Sequence, residues 1–283
     1  MYLKITKSYL RTLDKKTICI LIPNLSGKYN LTKEKLISLA LQRPSDISQR
    51  SWASYKTFAL VCGFCRDNAV FYTKAKNINP WHCVLCGKVS PSSSFKHNLL
   101  KCTEFLKIAS NKSFKIEIIA RKALIEQALV ALISNFEIYI RTTYALILDL
   151  KHVLFGESIF EIIYKDSRNQ FLNMGSINKK LKKVFSIDLK KDLGNDSFNF
   201  LSKMYSSRHV IIHNGGFKDK EYISQTGEKK SEFKKSVSIK IEDIRIFISL
   251  SKNIFKKVDL NLNTVLIDYI KRAEEFKNKH SKN

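Results

Sequence analysis

Two closely spaced cysteine pairs constrain the first third of this 283-residue chain more than any other feature. Cys62 and Cys65 enclose two residues, Cys83 and Cys86 enclose two more, and seventeen residues separate the pairs. A C-x2-C turn presents both sulfurs to one tetrahedral ion, and this spacing is typical of zinc sites with four thiolates. Because four thiolates fill the coordination shell, we expect one structural Zn²⁺ per chain and no catalytic metal.

The residues around the cysteine pairs leave alternatives open. His82 adjoins Cys83 and could replace one sulfur, although a histidine in this position more often donates to a thiolate. The aromatic and basic residues between the pairs could stack bases and hold phosphates, or they could form the small core of a zinc ribbon. They are Arg66, Phe71, Tyr72, Lys74, Lys76 and Trp81. We expect Cys19 and Cys102 to be small buried hydrophobes.

A strongly positive net charge would ordinarily favour a polyanionic partner, but we discount it here. Fifty Lys and Arg face 25 Asp and Glu, which gives a formal net charge of +25. Part of this lysine excess accompanies much Ile, Asn, Phe and Tyr, a bias typical of AT-rich genomes. The first residues carry scattered charges and lack the apolar core of a secretory signal, so we expect a cytoplasmic protein. The apolar stretch Ala128–Ile133 is too short to span a bilayer, which predicts a buried helix and no membrane partner.

A shift in composition predicts two parts. All four prolines lie in the first 91 residues, and the remainder is rich in helical patterns. Turn-forming residues cluster at Ser90–Ser94, where we place the boundary. We predict a mainly α protein with a small N-terminal α+β region at residues 1–95, which holds the zinc ribbon at 62–87. Residues 96–114, a linker or a segment that no pattern assigns, would lead to a helical domain at 115–283.

Local patterns predict the elements of both parts. Thr17–Ile22 has the composition of a strand, and Thr32 is a plausible N-cap for a helix that Pro44 ends. Apolar residues recur at three- and four-residue steps between Lys115 and Phe155, which predicts a central core helix or two stacked helices. They are Ile125, Leu129, Leu132, Phe136 and Ile140.

The C-terminal part is predicted to be helical with one small hairpin. A helix should cover Phe198–His213, and the alternating residues Val237, Ile239 and Ile241 suggest one arm of a hairpin. Further helices should close the chain, with a solvated or frayed end from Lys271. Their apolar stripe comprises Ile244, Phe247, Ile248, Ile254 and Val258.

The segment from Arg208 to His213 combines one arginine and two histidines before a glycine pair. Arg208 falls on the apolar stripe of its predicted helix and therefore needs a partner. Residues five apart on an ideal helix diverge by about 140°. Arg208 and His213 can thus converge only if the helix ends near His213, which the glycines favour, or if two copies meet across a two-fold axis.

A second interpretation of this segment is a metal enzyme. His209 and His213 lie four residues apart, on one face of the predicted helix, and could hold a metal ion. Such a site needs a third ligand, for which the nearby sequence offers Asp219 and Glu221. More than one metal ion per chain would then be required.

The spacing of Arg208, four intervening residues and His213 resembles the R-x4-6-H motif of the HEPN superfamily of helical ribonucleases, including its RiboL-PSP and Abi-like members. The polar His209 after the arginine, the trailing Asn214 and glycines, and an upstream helix with Phe136 and Glu137 extend the resemblance over residues 115–270. It implies a HEPN-like helical bundle that acts as a homodimeric, metal-independent endoribonuclease. It also implies a toxin or anti-phage defence effector, with an antitoxin or sensor protein as a further partner.

The expected chemistry assigns a role to each residue. His213, with His209, would move protons as general base or acid, and Arg208 would stabilise charge on the phosphorane. Cleavage at a 2′-hydroxyl would leave a 2′,3′-cyclic phosphate and a 5′-hydroxyl. Glu137 would hold the Arg208 guanidinium, although it could instead pair with Arg141 one turn later. Candidate RNA contacts are Lys179, Lys180, Lys182, Lys183 and Asn214, with tRNA as one substrate.

The same residues also allow interpretations in which they have only structural roles. Arg208 could belong to a structural ion pair and His213 to a capped helix end, and lysine runs are usually solvated faces. The chain would then be a non-catalytic nucleic-acid-binding or regulatory protein with a zinc ribbon and a helical dimerisation domain.

Overall fold

The computed structural model describes residues 17–22, 56–64, 68–73, 86, 88–111, 113, 116–154 and 157–280. It divides into two compact units. The first combines residues 1–93, 150–158 and 264–283, and the second combines residues 94–149 and 159–263. The described residues are mostly helical, which confirms the mainly α prediction.

The first unit contains a three-stranded antiparallel sheet. Its strands are β1 (Thr17–Ile22), β2 (Lys56–Val61) and β3 (Asn68–Thr73), in the order β1-β3-β2. Asn68 pairs with Ile22 on one side and with Val61 on the other. The predicted strand at Thr17–Ile22 is thus confirmed, whereas the helix predicted between Thr32 and Pro44 lies outside the described residues.

Helices form the remainder of the described chain. In chain order they are α1 (Pro91–Ser110), α2 (Ile118–His152), α3 (Phe160–Asp166), α4 (Met174–Phe185), α5 (Leu189–Leu193), α6 (Asn195–His213), α7 (Lys220–Thr226), a 3-10 turn (Lys230–Glu232) and α8 (Ile241–His280). Around α6 pack the three shorter helices α4, α5 and α7.

Helix α2 is the centre of the second unit. It is one continuous helix, and the ring of Phe136 lies 6.3 Å from that of Phe95 on α1 and 6.2 Å from that of Phe247 on α8. Among the described helices, α2 alone is long and apolar enough to cross a membrane by length and composition. Its predicted apolar segment is buried inside the unit, since Ala128, Leu129, Leu132 and Ile133 are fully covered.

The predicted linker is wrong over most of its length, because α1 already begins at Pro91. Proline suits the first turn of a helix, where its missing N–H group has no intrahelical partner, and serines are compatible with that turn. The buried face of α1 repeats at four- and three-residue steps and comprises Phe95, Leu99, Cys102, Leu106 and Ala109. The prediction that Cys102 is buried is confirmed.

The predicted hairpin arm at Val237–Ile241 is also wrong. Around this segment, strand pairing is limited to an isolated bridge between Phe217 and Ser236. Three backbone hydrogen bonds accompany it: Val237 N–H donates to the Gly216 carbonyl, Lys218 N–H to the Lys235 carbonyl, and Lys234 N–H to the Lys218 carbonyl. Asp243 accepts a hydrogen bond from the Lys240 N–H at 2.9 Å, which favours a helix start at this point. A single helix, α8, then runs to His280. Of the two alternatives predicted from Lys271, a solvated or a frayed end, the structure shows no fraying, and Lys271 is exposed.

Adjacent residues on α8 provide a test of this core. Phe247 is completely buried, whereas its neighbour Ile246 is 48% exposed. We expect Phe247→Ala to lower the free energy of unfolding by about 3–5 kcal/mol, because it removes buried apolar area and leaves a cavity. Ile246→Ala should change it by less than about 0.5 kcal/mol. Chemical denaturation followed by circular dichroism measures both, and equal effects would contradict the assigned orientation of α8.

Candidate functional site

Helix α6 carries the Arg208–His213 segment and ends where the glycines predict. Buried Leu201, Met204 and Tyr205 fix its inner face. The N–H groups of Asn214 and Gly216 both donate to the Val210 carbonyl at 2.9 Å. Gly215 and Gly216 have φ angles of 58° and 81°, a left-handed conformation that glycine adopts without steric cost. The predicted glycine cap is therefore confirmed.

Arg208 pairs with Glu137, the partner predicted from sequence. Its Nη2 lies 3.6 Å from Glu137 Oε2 and also donates to Ser134 Oγ at 3.4 Å. The two charged side chains are only 20% and 14% exposed. The rival partner Arg141 instead stacks on the Tyr164 ring of α3, with its guanidinium carbon 4.1 Å from the ring centre, and donates to the Tyr164 hydroxyl.

Several polar atoms of this cluster are buried without a hydrogen-bond partner in the described part of the chain. They are Glu137 Oε1, Arg141 Nε, Arg208 Nε and the Tyr205 hydroxyl. Burial raises the pKa of the Glu137 carboxyl, and the charges of Arg208 and Arg141 offset only part of that rise. Burial and the charge of Glu137 also raise the pKa of the Tyr205 hydroxyl well above its usual value. Glu137 is therefore more basic than a solvated carboxylate.

The two histidines lie on the solvent side of α6. His209 and His213 are exposed, and their ring centres are 4.7 Å apart with planes tilted by 47°. Arg208 faces α2, and because α6 remains helical up to His213 the two motif residues point in directions about 140° apart. The end of the helix at His213 thus does not by itself bring Arg208 and His213 together within one chain.

The proposed third ligands of a metal enzyme are engaged elsewhere. Asp219 accepts the Tyr222 N–H at 2.7 Å as the N-cap of α7, and Glu221 accepts a hydrogen bond from Gln225 at 2.9 Å. No cluster of three or more metal-ligating side chains occurs among the described residues. Among the described residues, the histidine pair therefore has no third protein ligand.

The lysine run on α4 divides between two environments. Lys179, Lys182 and Lys183 are exposed, and Lys182 pairs with Asp188 at 2.9 Å. Lys180 is half-buried and lies 5.5 Å from the Tyr144 ring centre. The fifth RNA-contact candidate, Asn214, donates through its amide to the Phe217 carbonyl at 2.6 Å. Lys179, Lys182 and Lys183 thus project into solvent, and the ion pair of Lys182 is the one structural contact described for these three side chains.

The cysteine pairs lie partly within the described residues. Cys62 directly follows β2, and its sulfur is 3.7 Å from that of Cys86. Two sulfurs on one tetrahedral zinc ion, each about 2.3 Å from the metal, are about 3.8 Å apart. A disulfide would require about 2.05 Å. Cys65 and Cys83 lie outside the described residues.

Sequence reasoning placed Tyr205 on the same apolar stripe as Arg208, but it missed Ser134 and Tyr164 as members of the Arg208 cluster. Ser134 precedes Glu137 by three residues, so both lie on the same face of a helix that was predicted. That periodicity could have identified Ser134. Tyr164 lies on α3, which carries no motif.

The Glu137–Arg208 pair can be tested by a double-mutant cycle. Glu137→Gln and Arg208→Met should each lower the free energy of unfolding by about 1–3 kcal/mol, because each leaves the other polar group buried and unpaired. The double variant should cost less than the sum of the two.

The coupling energy is the difference between the effect of the double variant and the sum of the two single effects. Its dependence on pH has a definite sign. The ion pair requires ionised Glu137, so the coupling is present above the pKa of this carboxyl in the folded protein and is lost as the pH falls through it. Because burial raises that pKa, the loss should begin at a higher pH than for a solvated glutamate. The exposed Glu242–Arg245 pair, at 3.2 Å, is the matched control and should show negligible coupling. A coupling that persists in acid would contradict the assignment.

No protein-family model matches the chain, and no curated protein or solved structure is significantly similar to it.

Proposed function

We propose that this chain is a metal-independent endoribonuclease of the HEPN type, active as a homodimer. One observation carries this proposal. Helix α6 holds Arg208 against the largely covered Glu137 and presents His209 and His213 to solvent at its C-terminal end. These are the residues through which the chain resembles that superfamily. Together these side chains supply the base, the acid and the cation that RNA cleavage at a 2′-hydroxyl requires.

The proposed chemistry uses each side chain according to its environment. An imidazole can both accept and donate a proton, so His213 removes the proton from the 2′-hydroxyl or donates one to the departing 5′-oxygen, and His209 assists. The 2′-oxygen then bonds to phosphorus while the bond to the 5′-oxygen breaks. Arg208 is oriented by Glu137 and Ser134, and its guanidinium stabilises the added charge on the phosphorane oxygens.

The direction of the side chains supports a dimer. Arg208 and His213 diverge on one helix, so a two-fold axis is needed to place His213 of one protomer near Arg208 of its partner. Exposed apolar side chains flank His213 and would be covered in such an interface. They are Ile212 and Phe217, which are 44% and 53% exposed.

The cellular role is proposed from the family resemblance. It assigns the chain to cytoplasmic toxins or anti-phage effectors that an antitoxin or sensor protein controls. The exposed lysines of α4, at Lys179, Lys182 and Lys183, would guide RNA such as tRNA toward the site.

We further propose that Cys62, Cys65, Cys83 and Cys86 hold one structural zinc ion. The distance of 3.7 Å between Cys62 and Cys86 sulfurs supports this, since it matches two ligands of one tetrahedral ion. The position of Cys62 at the end of β2 also suits a ribbon, in which a metal joins the ends of short strands.

A second candidate function is a non-catalytic nucleic-acid-binding or regulatory protein. The burial of the Glu137–Arg208 pair favours it, because an arginine that is four-fifths covered also suits a structural ion pair. The two candidates differ in whether RNA is consumed.

Incubation with total RNA and tRNA in excess EDTA separates them. We expect wild-type protein to cleave RNA, and Arg208→Lys and His213→Asn to lower the rate about 10²–10⁴-fold, because proton transfer and charge stabilisation are lost. Matched controls are Arg245→Lys and His152→Asn, which alter exposed residues outside the motif. Products should carry a 2′,3′-cyclic phosphate and a 5′-hydroxyl, and a substrate with 2′-deoxy sugars should resist.

Two results would contradict the ribonuclease proposal. A 5′-phosphate on the products would exclude attack by the 2′-oxygen. Intact RNA with a folded wild-type protein, also after addition of metal ions, would favour the binding protein, for which gel-shift affinity and its salt dependence are then the relevant measurements.

Zinc content tests the cysteine proposal separately. We expect one zinc ion per chain by elemental analysis, and loss of that zinc in Cys62→Ser and Cys86→Ser. Cys102→Ala is the matched control, because burial raises the pKa of the Cys102 thiol to about 11 and keeps it from acting as a thiolate ligand. Zinc that survives both serine substitutions would disprove the assigned ligands.

A further inference from the structure

The exposed histidine pair on the last turns of α6 has the geometry of a chelate. Two imidazoles on one metal ion, each bound at about 2.1 Å, place their ring centres about 4.5–5.3 Å apart for ligand angles of roughly 90° to 109°. The centres of His209 and His213 are 4.7 Å apart. Both rings thus already have the separation that a shared metal ion requires.

The position of the pair on the helix also favours a cation. His213 is the last residue of α6, where the unpaired carbonyl groups give the helix end a partial negative charge. The backbone here is fixed, because the Asn214 and Gly216 N–H groups both bond to the Val210 carbonyl. The backbone that carries the two ligands is therefore already ordered, and metal binding need restrict only the rotation of the two side chains.

The chemistry of the ligands selects the kind of metal. Neutral imidazole suits Ni²⁺, Cu²⁺ and Zn²⁺ and binds Mg²⁺ or Ca²⁺ poorly. Among the described residues no third ligating side chain joins the pair. Water must fill the remaining positions, so binding is reversible, unlike that of a closed four-thiolate site.

We propose that His209 and His213 form a reversible surface site for one transition-metal ion, and that its occupation inhibits RNA cleavage. The second half rests on the proposed function, in which His213 transfers a proton. A ring nitrogen bound to metal cannot bind that proton, so a chelated His213 is withdrawn from catalysis. The site is a regulatory one, distinct from the cysteine ligands and from a catalytic metal centre.

Calorimetric titration of the zinc-loaded full chain with Ni²⁺ tests the binding. We expect one Ni²⁺ per chain at this site, with affinity about tenfold or more weaker in His209→Ala and in His213→Ala, since each removes one arm of the chelate. His152→Ala, which removes an exposed histidine elsewhere, should bind as wild type does. Zinc release is followed in the same sample to show that Ni²⁺ has not entered the cysteine site. Equal affinity in both single variants and wild type would overturn the site.

The inhibition is measured on wild-type protein over the same Ni²⁺ range. We expect RNA cleavage to fall with a midpoint equal to that of binding, and Mg²⁺ at equal concentration to leave it unchanged. If wild type binds Ni²⁺ and cleaves RNA at full rate, the regulatory role is overturned and the site remains. If wild type never cleaves RNA, the proposed function fails, and the titration still decides whether the histidines bind metal.

Discussion

Aromatic packing along α2 is the interaction on which the second unit depends. Phe136 contacts the rings of Phe95 on α1 and Phe247 on α8, and Tyr139 lies 5.0 Å from Phe255 on α8. Large rings in mutual contact bury much apolar area and tolerate little displacement. The three longest helices are thereby fixed relative to one another, and α6 joins the same cluster through Tyr205 and Phe247, whose ring centres are 6.4 Å apart.

This packing determines what Glu137 and Arg208 can do. Both side chains emerge from helices that the core holds close together, so the pair is covered by protein and poorly solvated. Burial of an ion pair seldom adds to stability, because desolvation offsets most of the attraction. The cluster adds further cost through buried polar atoms that lack partners in the described residues. An arrangement that costs stability at a conspicuous sequence motif is typical of a functional site.

Features with a local signal were predictable from sequence. The central helix follows from apolar residues at three- and four-residue steps, and the end of α6 follows from Gly215 and Gly216. Glu137 was named as the partner of Arg208 from the family resemblance, which includes Phe136 and Glu137 on an upstream helix, and not from a local pattern. Features that depend on competition between signals were not predictable. Pro91 and the serines that follow it are compatible with a loop and with the start of a helix. The apolar face of the residues that come next is what favours the helix.

Two further features, one local and one between distant elements, were also missed from the sequence. The alternation of Val237, Ile239 and Ile241 fits a strand, yet the cap that Asp243 provides for the Lys240 N–H begins α8 instead. The stacking of Arg141 on Tyr164 joins α2 to a seven-residue helix that has no pattern of its own. It also removes Arg141 from competition for Glu137, which leaves Arg208 as its paired cation.

The regular geometry of α6 links the ribonuclease proposal to the metal proposal. An unbroken helix turns Arg208 inward and His213 outward, so one chain alone presents an anchored cation on one face and a histidine pair on another. A second protomer can complete a proton-transfer site with these groups, because two-fold symmetry brings the outward face of one helix to its partner. A metal ion can occupy the histidine pair in a single chain. In the two proposals the histidine rings would serve either in proton transfer or as metal ligands, and this exclusion is the physical basis on which metal binding would inhibit RNA cleavage.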